Sequence, residues 1–382
     1  IILIFNSFLY MKNVSRMEKL KKTEVTTVIS KPDVNEDVRN AIDPIKYDEY
    51  RKQWEGATKL DLVTEFPLQI DFELNYSCNF TCPMCTWNEE STDGKGKQTW
   101  FDFEVFKEVI DDGVSKGLKS IRLNYINEPL IRKDIVKFIS YAHQAGIIDS
   151  YFSTNGSLLS DEVIRSLINS GLLRLQVSLD AITKNTYEKI RTGGNYDQVI
   201  KNVLRFLEIR NEMGSKLPTL RVNFVKTDVN KDELDDFVEF WKNKADSIGV
   251  QDLVGIMKGF GKKTDEEVEH TKLTGDFRCA QPFQRVTMRY NGTILPCCTF
   301  YAAEMPIGQL KSEINKEFSD IDNIGLLDKS IKSKLVIGTI EEIWKSKQME
   351  FIRDIHKKGE FWKHPICKTC VLSTSHFDVT TQ

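Results

Sequence analysis

The chain has 382 residues, of which 40% are hydrophobic and 29% are charged, and its formal net charge is −3. This length suits one large domain or two ordinary ones, the composition predicts a globular protein in water, and the small charge gives no reason to expect nucleic acid or a membrane as a partner. The eight cysteines fall into two groups with the spacing of metal ligands, which favours a reducing cytoplasmic setting over a disulfide framework.

Residues 1–64 are expected to form an N-terminal extension without chemistry of its own. It opens with IILIFNSFLY, an apolar run of ten residues that is too short to span a bilayer and lacks the basic start and cleavage site of a signal peptide. Because Met11 and Met17 follow closely, residues 1–10 or 1–16 are interpreted as a start placed too far upstream. KPDVNEDV predicts a loop, and a short helix is expected from Tyr47 to Gly56.

In residues 65–262, segments with the two-residue apolar period of a strand alternate with segments that have the 3.6-residue period of a helix. The segment LQIDFELNY alternates apolar and polar residues, as a strand does. The predicted strands are 68–76, 120–126, 150–156, 173–181, 219–225 and 251–259. The predicted helices are 101–117, 134–146, 161–170 and 197–213, and a capping box of Asn230 and Glu233 opens one more. Six strands alternating with helices predict a mainly parallel sheet, either an open doubly wound layer or an incomplete barrel.

The first strand is followed by NYSCNFTCPMCTW, which places Cys78, Cys82 and Cys85 in a CX3CX2C spacing. Closely spaced thiolates favour a soft metal centre, and iron–sulfur clusters are held by cysteine. Three ligands leave one iron of a four-iron cluster open, which indicates a catalytic site. A zinc site or a chance cluster is the alternative, but structural zinc is normally closed by four ligands and no fourth Cys or His lies nearby.

This spacing resembles the signature of the radical S-adenosylmethionine (SAM) superfamily, in which SAM binds the open iron. The resemblance implies a partial (β/α)6 barrel of the TIM type, and Met84 takes the place of the aromatic residue that packs against the adenine. Asn127 and Glu128 stand where that family has a glycine-glycine-glutamate-proline motif bonding the SAM amino group. The same resemblance implies further SAM contacts at strand ends, namely Ser153, Asn155, Ser178 and Asp180, with Arg191 for the carboxylate. Polar residues at strand ends also often cap the next helix.

Residues 263–382 are expected to form a second domain after the charged linker GFGKKTDEEVEH. The segment RVTMRYNGTILP predicts a hairpin turning at Asn291-Gly292. Four cysteines in two pairs could fill a tetrahedral zinc site or ligate a four-iron cluster. These are Cys279, before the hairpin, Cys297, at its end, and the CX2C pair Cys367 and Cys370.

The hairpin, the phrase IGTIEEIW and the late CX2C pair resemble the twitch domain, a truncated form of the SPASM extension of radical SAM enzymes. The resemblance implies one auxiliary [4Fe–4S] cluster on these four cysteines, with structural zinc as the alternative. Cys298 is interpreted as a packing thiol, with a hydrogen-atom donor as the other possibility. Residues 309–336 contain an insertion that is either a solvated loop or a segment over the cluster.

The resemblance implies an enzyme, a radical SAM oxidoreductase with two [4Fe–4S] clusters. It would cleave SAM reductively to a 5′-deoxyadenosyl radical, using an external electron donor of the flavodoxin or ferredoxin type, and abstract a substrate hydrogen atom. With the auxiliary cluster as electron acceptor, the expected outcome is dehydrogenation of a small molecule such as a sugar or cyclitol intermediate. Epimerisation and peptide modification are the alternatives, although no leader-binding module is evident. A non-catalytic zinc or iron–sulfur binding protein is the alternative from another class. The substrate and the oligomeric state do not follow from the sequence.

Overall fold

The computed structural model describes residues 26–32, 34–85, 100–253, 277–316 and 335–372. Within these ranges, eleven strands form one mixed sheet in the order β1-β7-β6-β5-β4-β3-β2-β8-β9-β10-β11. The strands are β1 (Thr26–Ser30), β2 (Gln69–Phe72), β3 (Ser120–Arg122), β4 (Asp149–Thr154), β5 (Arg174–Ser178), β6 (Thr219–Lys226), β7 (Ser247–Asp252), β8 (Arg285–Met288), β9 (Thr293–Leu295), β10 (Gly308–Leu310) and β11 (Val336–Gly338).

The α-helices of the same ranges connect or cover these strands. They are α1 (Val34–Asn40), α2 (Pro44–Thr58), α3 (Phe103–Ser115), α4 (Ile135–Ala145), α5 (Asp161–Asn169), α6 (Lys184–Ile190), α7 (Tyr196–Glu212), α8 (Leu234–Trp241), α9 (Gln281–Gln284), α10 (Ile340–Trp344), α11 (Lys347–Lys357) and α12 (Pro365–Leu372). Short 3₁₀ turns lie at Pro129–Ile131, Lys231–Glu233, Phe300–Glu304 and Phe361–Lys363.

The strands from β2 to β7 are parallel and neighbour one another in chain order. Each is separated from the next by helix, as parallel strands require. The predicted alternation of strands and helices is therefore confirmed. At one edge β1 adds antiparallel to β7, and at the other β8 adds parallel to β2. The carboxyl ends of β2 to β6 consequently meet along one rim of the sheet.

The two faces of the sheet differ because side chains alternate along each strand. On β2, Ile70 and Phe72 face the helices and belong to the main hydrophobic core, together with Phe106 of α3 and Phe138 of α4. Asp71, between them in sequence, points to the opposite face and is fully buried there. One face thus anchors the helices, and the other is polar.

Three expectations about local structure are wrong. KPDVNEDV is not a loop throughout, since α1 begins at Val34. Asn230 and Glu233 form no capping box: the Asn230 amide donates to the Asp180 and Val225 carbonyls, and the Glu233 carboxylate accepts from the backbone N–H groups of residues 182 and 183. The sixth of the expected strands, β7, begins at Ser247, four residues earlier than expected, and residues 254–259 lie outside the described residues.

The structure bears on the predicted hairpin turn and on whether a helix could cross a membrane. The hairpin at Asn291-Gly292 is confirmed, with β8 and β9 paired antiparallel and Gly292 at φ 83°, a backbone conformation that suits glycine. In the part of the chain that the structure describes, no helix combines the length and the apolar character needed to cross a bilayer.

Candidate functional site

The first cysteine group lies at the carboxyl rim of the sheet, in the loop after β2. Cys82 is buried, Cys78 and Cys85 are half-buried, and the Cys85 N–H closes a turn onto the Cys82 carbonyl at 3.0 Å. Burial raises the pKa of Cys78 to about 12, and the charges of Cys82 and Cys85 contribute to this rise. The three thiols therefore lie within electrostatic reach of one another. Met84 is half-buried in the same loop.

An asparagine pair joins the cysteine loop to the end of β3. The Asn127 amide donates to Asn75 Oδ1 at 2.8 Å, and Asn127 Oδ1 accepts from the Tyr125 N–H at 2.9 Å. The Asn75 amide in turn donates to the Glu128 carbonyl at 3.2 Å, and the Glu128 N–H donates to the Ser77 carbonyl at 2.9 Å. Both side chains are buried. Asn127, a predicted contact of SAM, therefore uses both its amide nitrogen and its amide oxygen in hydrogen bonds within the chain.

Glu128 has a buried carboxylate that binds both the 3₁₀ turn at Pro129–Ile131 and the end of β4. One oxygen accepts from Thr154 Oγ1 at 2.7 Å and from the Leu130 N–H at 3.0 Å, and the other accepts from the Asn155 N–H at 2.7 Å. Burial raises the pKa of Glu128 to about 7, against the lowering effect of these hydrogen bonds. The carboxylate therefore organises the ends of β3 and β4, a use that the sequence interpretation did not include.

The polar residues at the end of β4 lie where the interpretation placed them. The Asn155 amide donates to Asn79 Oδ1 at 2.9 Å, which ties β4 to the cysteine loop. Ser153 Oγ donates to Gln176 Oε1 of β5 at 3.2 Å. On β5, Ser178 is half-buried at the last position, where it pairs in register with Asn223 in the middle of β6. The structure therefore brings these strand ends to one rim beside the cysteines.

Asp180 and Arg191 form a buried ion pair directly beside the cysteine loop. Asp180 is fully buried, and its carboxylate accepts from Arg191 Nη2 and from the Val225 N–H, the latter at 2.8 Å. Burial raises the pKa of Cys82, and the positive charge of Arg191 acts against this rise. The residue expected for the SAM carboxylate is thus bound within the chain.

Several polar residues on the same face of the sheet were missed by sequence reasoning. Asp71 is fully buried, with Arg122 Nη1 at 4.0 Å and Arg285 Nη1 at 3.6 Å from its Oδ2 atom. At the ends of β2 and β8, the rings of Tyr76 and Tyr290 stack with centroids 4.9 Å apart. The alternation of apolar and polar residues in LQIDFELNY could have identified Asp71, because it places acidic residues between the apolar residues of a buried strand.

The second cysteine group surrounds the end of the β8–β9 hairpin. Cys297 and Cys367 are buried in a small apolar cluster with Leu295 and Phe361. Cys279 and Cys370 are half-buried, and burial raises their pKa values to about 12 and about 11. The charges of Cys279 and Cys370 raise the pKa values of both Cys297 and Cys367. The four predicted ligands are therefore brought together from three separate segments.

Neighbours of these cysteines fix their backbone and their sulfur atoms. The Cys279 N–H donates to His356 Nδ1 at 3.3 Å, and the Cys370 thiol lies 3.6 Å from Thr299 Oγ1. Cys298 is half-buried, and its thiol is 3.5 Å from Gln281 Oε1. Tyr125 links the two cysteine groups, since its hydroxyl donates to the residue 299 carbonyl at 2.7 Å while its N–H donates to Asn127.

Both groups supply the donors that iron–sulfur clusters require. Burial raises the pKa values of six of these free thiols, and a bound metal centre would deprotonate them. The six are Cys78, Cys82, Cys279, Cys297, Cys367 and Cys370. The three cysteines at the rim and the four around the hairpin are of the residue type that holds iron–sulfur clusters. In the described ranges, no three His, Cys, Asp or Glu side chains stand close enough to share a single metal ion.

Comparison with family models and curated proteins gives consistent matches. The model of the radical SAM superfamily matches residues 72–241. Mycofactocin maturase MftC of Mycolicibacterium smegmatis is 28% identical over 177 residues, covering 45% of this chain and 41% of that protein. The GTP 3',8-cyclase of Thermodesulfovibrio yellowstonii is 33% identical over 171 residues, covering 44% and 50%. The chain thus spans half or less of these two relatives. A probable GTP 3',8-cyclase of Methanococcus maripaludis is 31% identical over 267 residues, covering 62% and 85%.

Solved structures with the same fold are more distant in sequence. Streptococcus suis SuiB bound to S-adenosylmethionine has a TM-score of 0.54 at 16% identity, over 96% of this chain and 82% of that one. Native anSMEcpe with bound AdoMet has a TM-score of 0.51 at 12% identity, over 81% of this chain and 90% of that one. These similarities show a shared α/β fold.

Proposed function

We propose, from the premise that the chain belongs to the radical SAM superfamily, that it is a dehydrogenase acting on a small polar molecule. The family implies a [4Fe–4S] cluster and SAM. The observation that carries the proposal is the pairing of two cysteine groups, three thiols at the rim of a parallel sheet and four around the hairpin next to it. A four-iron cluster held by the three thiols of the first group would keep one iron open for SAM, and one held by the four thiols of the second group would have none open.

The residues fall into three sets with different roles in this proposal. Cys78, Cys82 and Cys85 would hold the core cluster, and Cys279, Cys297, Cys367 and Cys370 would hold an auxiliary one. SAM would lie along the rim, against Met84, Ser153, Asn155 and Ser178. When bound, these groups supply reductive cleavage of SAM, removal of a hydrogen atom from a C–H bond, and an acceptor for the second electron.

The chain's own residues position and shield that chemistry. The Glu128 carboxylate fixes the ends of β3 and β4, which carry Ser153 and Asn155, through three hydrogen bonds of 2.7 to 3.0 Å. Asn127 and Asn75 hold the cysteine loop against the same strand ends. A site organised by such buried contacts keeps its geometry without reorganising on binding, and so favours one orientation of the reactants.

Two architectural features belong to the same proposal. We infer that the parallel strands β2 to β7 form a partial (β/α)6 barrel, with a core at residues 65–262. We also infer that residues 263–382 form a twitch-type auxiliary domain of the SPASM group. Support comes from the parallel order of the strands and from the hairpin between Cys279 and Cys297.

A two-electron oxidation is favoured because the four thiols of the second group leave no iron open for substrate. The substrate would lose one hydrogen atom to the 5′-deoxyadenosyl group of SAM, one proton to solvent and one electron, and a cluster held by Cys279, Cys297, Cys367 and Cys370 would accept that electron. The other candidate is nucleotide cyclisation, which two of the relatives carry in their names.

The test is anaerobic turnover with SAM and a one-electron donor, either dithionite or a flavodoxin. The panel would contain neutral sugars and cyclitols, peptides and GTP. Formation of 5′-deoxyadenosine together with a product two mass units lighter than a sugar or cyclitol supports the proposal. A cyclised nucleotide formed from GTP, or a product with the same mass as its substrate, would contradict the dehydrogenase proposal. The Cys78/Cys82/Cys85 triple alanine variant is the control and should form no 5′-deoxyadenosine.

A further inference from the structure

The second cysteine group lies close to the surface of the protein. Cys279 and Cys370 are half-buried, whereas Cys297 and Cys367 are buried in the apolar cluster beneath them. The side chains that cover this apolar cluster are themselves only half-buried, and they are Phe277, Trp362 and Ile366. The group is therefore near enough to solvent for another protein to approach it.

Three segments of the chain meet at this place. The Arg278 Nη1 atom donates to the Lys357 carbonyl at 2.8 Å. The rings of Phe277 and Phe361 lie edge to face, with their centroids 5.9 Å apart. The residues before Cys279, the end of α11 and the turn that leads into α12 thus form one continuous surface.

This surface is basic in a chain whose formal net charge is −3. Its segments, residues 277–284 and 354–372, contain five lysine or arginine residues and two acidic ones. Both acidic side chains form ion pairs at 2.7 Å, which are Asp354–Lys358 and Glu360–Lys363. The other three cations are exposed and have no acidic side chain within ion-pair distance among the described residues, and they are Arg278, Lys357 and Lys368. We call these five basic residues the basic surface.

The three cations without an acidic partner adjoin the cysteines. Arg278 precedes Cys279, Lys368 follows Cys367, and Lys357 is joined to Arg278 by the hydrogen bond given above. Positive charge thus lies around a centre of half-buried aromatic and apolar side chains. An apolar centre with a charged rim is the usual build of a protein–protein interface.

The proposed dehydrogenation leaves one electron at this place in each turnover. A cluster that has accepted this electron has to lose it before it can accept the next one. Oxidation by a one-electron carrier protein balances this step, because the carrier gains the electron that the cluster loses and no bond forms or breaks.

We propose that the basic surface is the docking site of an acidic one-electron carrier protein, which removes the electron from a cluster held by the second cysteine group. This inference rests on the proposed function, because it needs an electron-accepting cluster on these four cysteines. Opposite charges speed the encounter of two proteins and orient them, and interfaces for electron transfer are small. A few cations around an apolar centre suit such an interface.

The experiment uses an acidic flavodoxin as the probe, with anaerobically reconstituted protein. Calorimetry measures its binding to the wild type. Stopped-flow absorbance measures how fast the reduced Cys78/Cys82/Cys85 triple alanine variant passes its electron to oxidised flavodoxin, since only the second group can hold a cluster there. The charge-reversal variant of the basic surface combines Arg278→Glu, Lys357→Glu and Lys368→Glu.

Two further variants keep the result interpretable. Lys357→Gln with Lys368→Gln removes two charges and keeps the Arg278 hydrogen bond, in case the charge-reversal variant takes up no iron. The matched control changes the same total charge on α2 and α7, at three exposed lysines that form no ion pair among the described residues. It combines Lys46→Glu, Lys52→Glu and Lys201→Glu.

The flavodoxin dissociation constant should rise about tenfold in the charge-reversal variant at low salt, and the rate constant of electron transfer should fall by a similar factor. The double glutamine variant should change in the same direction, and the matched control should behave as the wild type. At about 300 mM salt the difference between the wild type and the charge-reversal variant should shrink, because salt screens exposed charges.

Equal affinity and equal rates in the wild type and in iron-replete variants of the basic surface would overturn the inference. A charge-reversal variant that loses affinity for single-stranded DNA but keeps its affinity for flavodoxin would also overturn it, because the surface would then bind nucleic acid. A Cys78/Cys82/Cys85 triple alanine variant without iron would instead overturn the electron acceptor of the proposed function.

Discussion

Glu128 joins the turn after β3 to the end of β4 through one carboxylate, and burial raises the pKa of this group to about 7. It is 2% exposed, and its partners come from the 3₁₀ turn that follows it and from the end of β4. The three hydrogen bonds stabilise the ionised carboxylate. Burial nevertheless disfavours this form more strongly, because the charge loses its hydration. Its protonation should therefore be visible in the stability of the folded chain.

Stability should depend on the ionisation of Glu128 between about pH 4.5 and pH 7. Its pKa rises from 4.5 to about 7 on folding, so the unfolded chain releases this proton first as the pH increases. The contribution is fully present below pH 4.5 and is lost as the pH passes 7. Relative to Glu128→Gln, wild-type protein should lose about 2 kcal/mol of unfolding free energy from pH 5 to pH 8. Urea unfolding at both pH values measures this, and equal pH dependence in the two proteins would contradict it.

The residues of the rim could be located from sequence but their partners could not. Asn127, Glu128, Asn155 and Asp180 follow strands whose apolar pattern is plain, so their position at one rim was predictable. Their hydrogen bonds were not, because the donors and acceptors come from segments such as the end of β4, 27 residues beyond Glu128. Whether these side chains also contact SAM stays a prediction.

At the scale of elements, residues 191–194 pack directly on the cysteine loop, through the contact of Gly194 with Phe80 and the hydrogen bond between Thr81 and Thr192. Replacing Gly194 with alanine would bring a Cβ to 2.9 Å from the ring of Phe80 and 3.0 Å from the Arg191 carbonyl. Phe80 is 2% exposed and has little room to move. Gly194→Ala should therefore displace the loop and lower the iron content toward about four per chain, since only the core cluster is affected.

Gly214→Ala is the matched control for this loop. Gly214 has φ of 64°, and an added Cβ meets nothing within 4 Å, so the substitution costs about 1 kcal/mol of local strain without touching the site. Iron analysis and thermal unfolding of both variants separate the two effects. Full iron content in Gly194→Ala would show that this contact does not position the cysteine loop.

Long periodic elements were predictable, and short ones were decided by tertiary contacts. Helix α7 and strand β6 follow directly from their apolar spacing. Helix α1 was missed because its seven residues have only one buried side chain, Val38, and hence no periodic signal. Asn230 failed as a helix cap because its amide is used to hold Asp180 and the end of β6.

At the scale of the whole molecule, the two cysteine groups share one sheet. Strand β8 pairs with all four residues of β2, and Trp344 Nε1 donates to the Thr64 carbonyl at 2.8 Å. Arg285 lies 3.6 Å from Asp71 of β2, and Arg289 lies 3.1 Å from Glu73, the residue that follows β2. Both carboxylates are fully buried. The region after residue 276 is thus part of the structural support of the first cysteine loop.

A chain that ends at residue 276 should therefore be strongly destabilised. Loss of β8 exposes the edge of β2 and removes Arg285 from Asp71 and Arg289 from Glu73. Breaking a buried pair costs about 3–5 kcal/mol. We expect aggregation or a much lower unfolding midpoint by circular dichroism. A chain ending at residue 372 is the control, because it keeps every described strand. A stable, monomeric 1–276 chain would show that the core folds independently.

The most direct test of the central claim is an iron and sulfide count on anaerobically reconstituted protein, with the Cys78/Cys82/Cys85 triple alanine variant beside it. Two [4Fe–4S] clusters predict about eight irons in the wild type and about four in the variant. About four irons with zinc making up the rest would remove the auxiliary electron acceptor and favour a redox-neutral reaction. No iron in either protein would contradict the account of this chain as a radical SAM dehydrogenase.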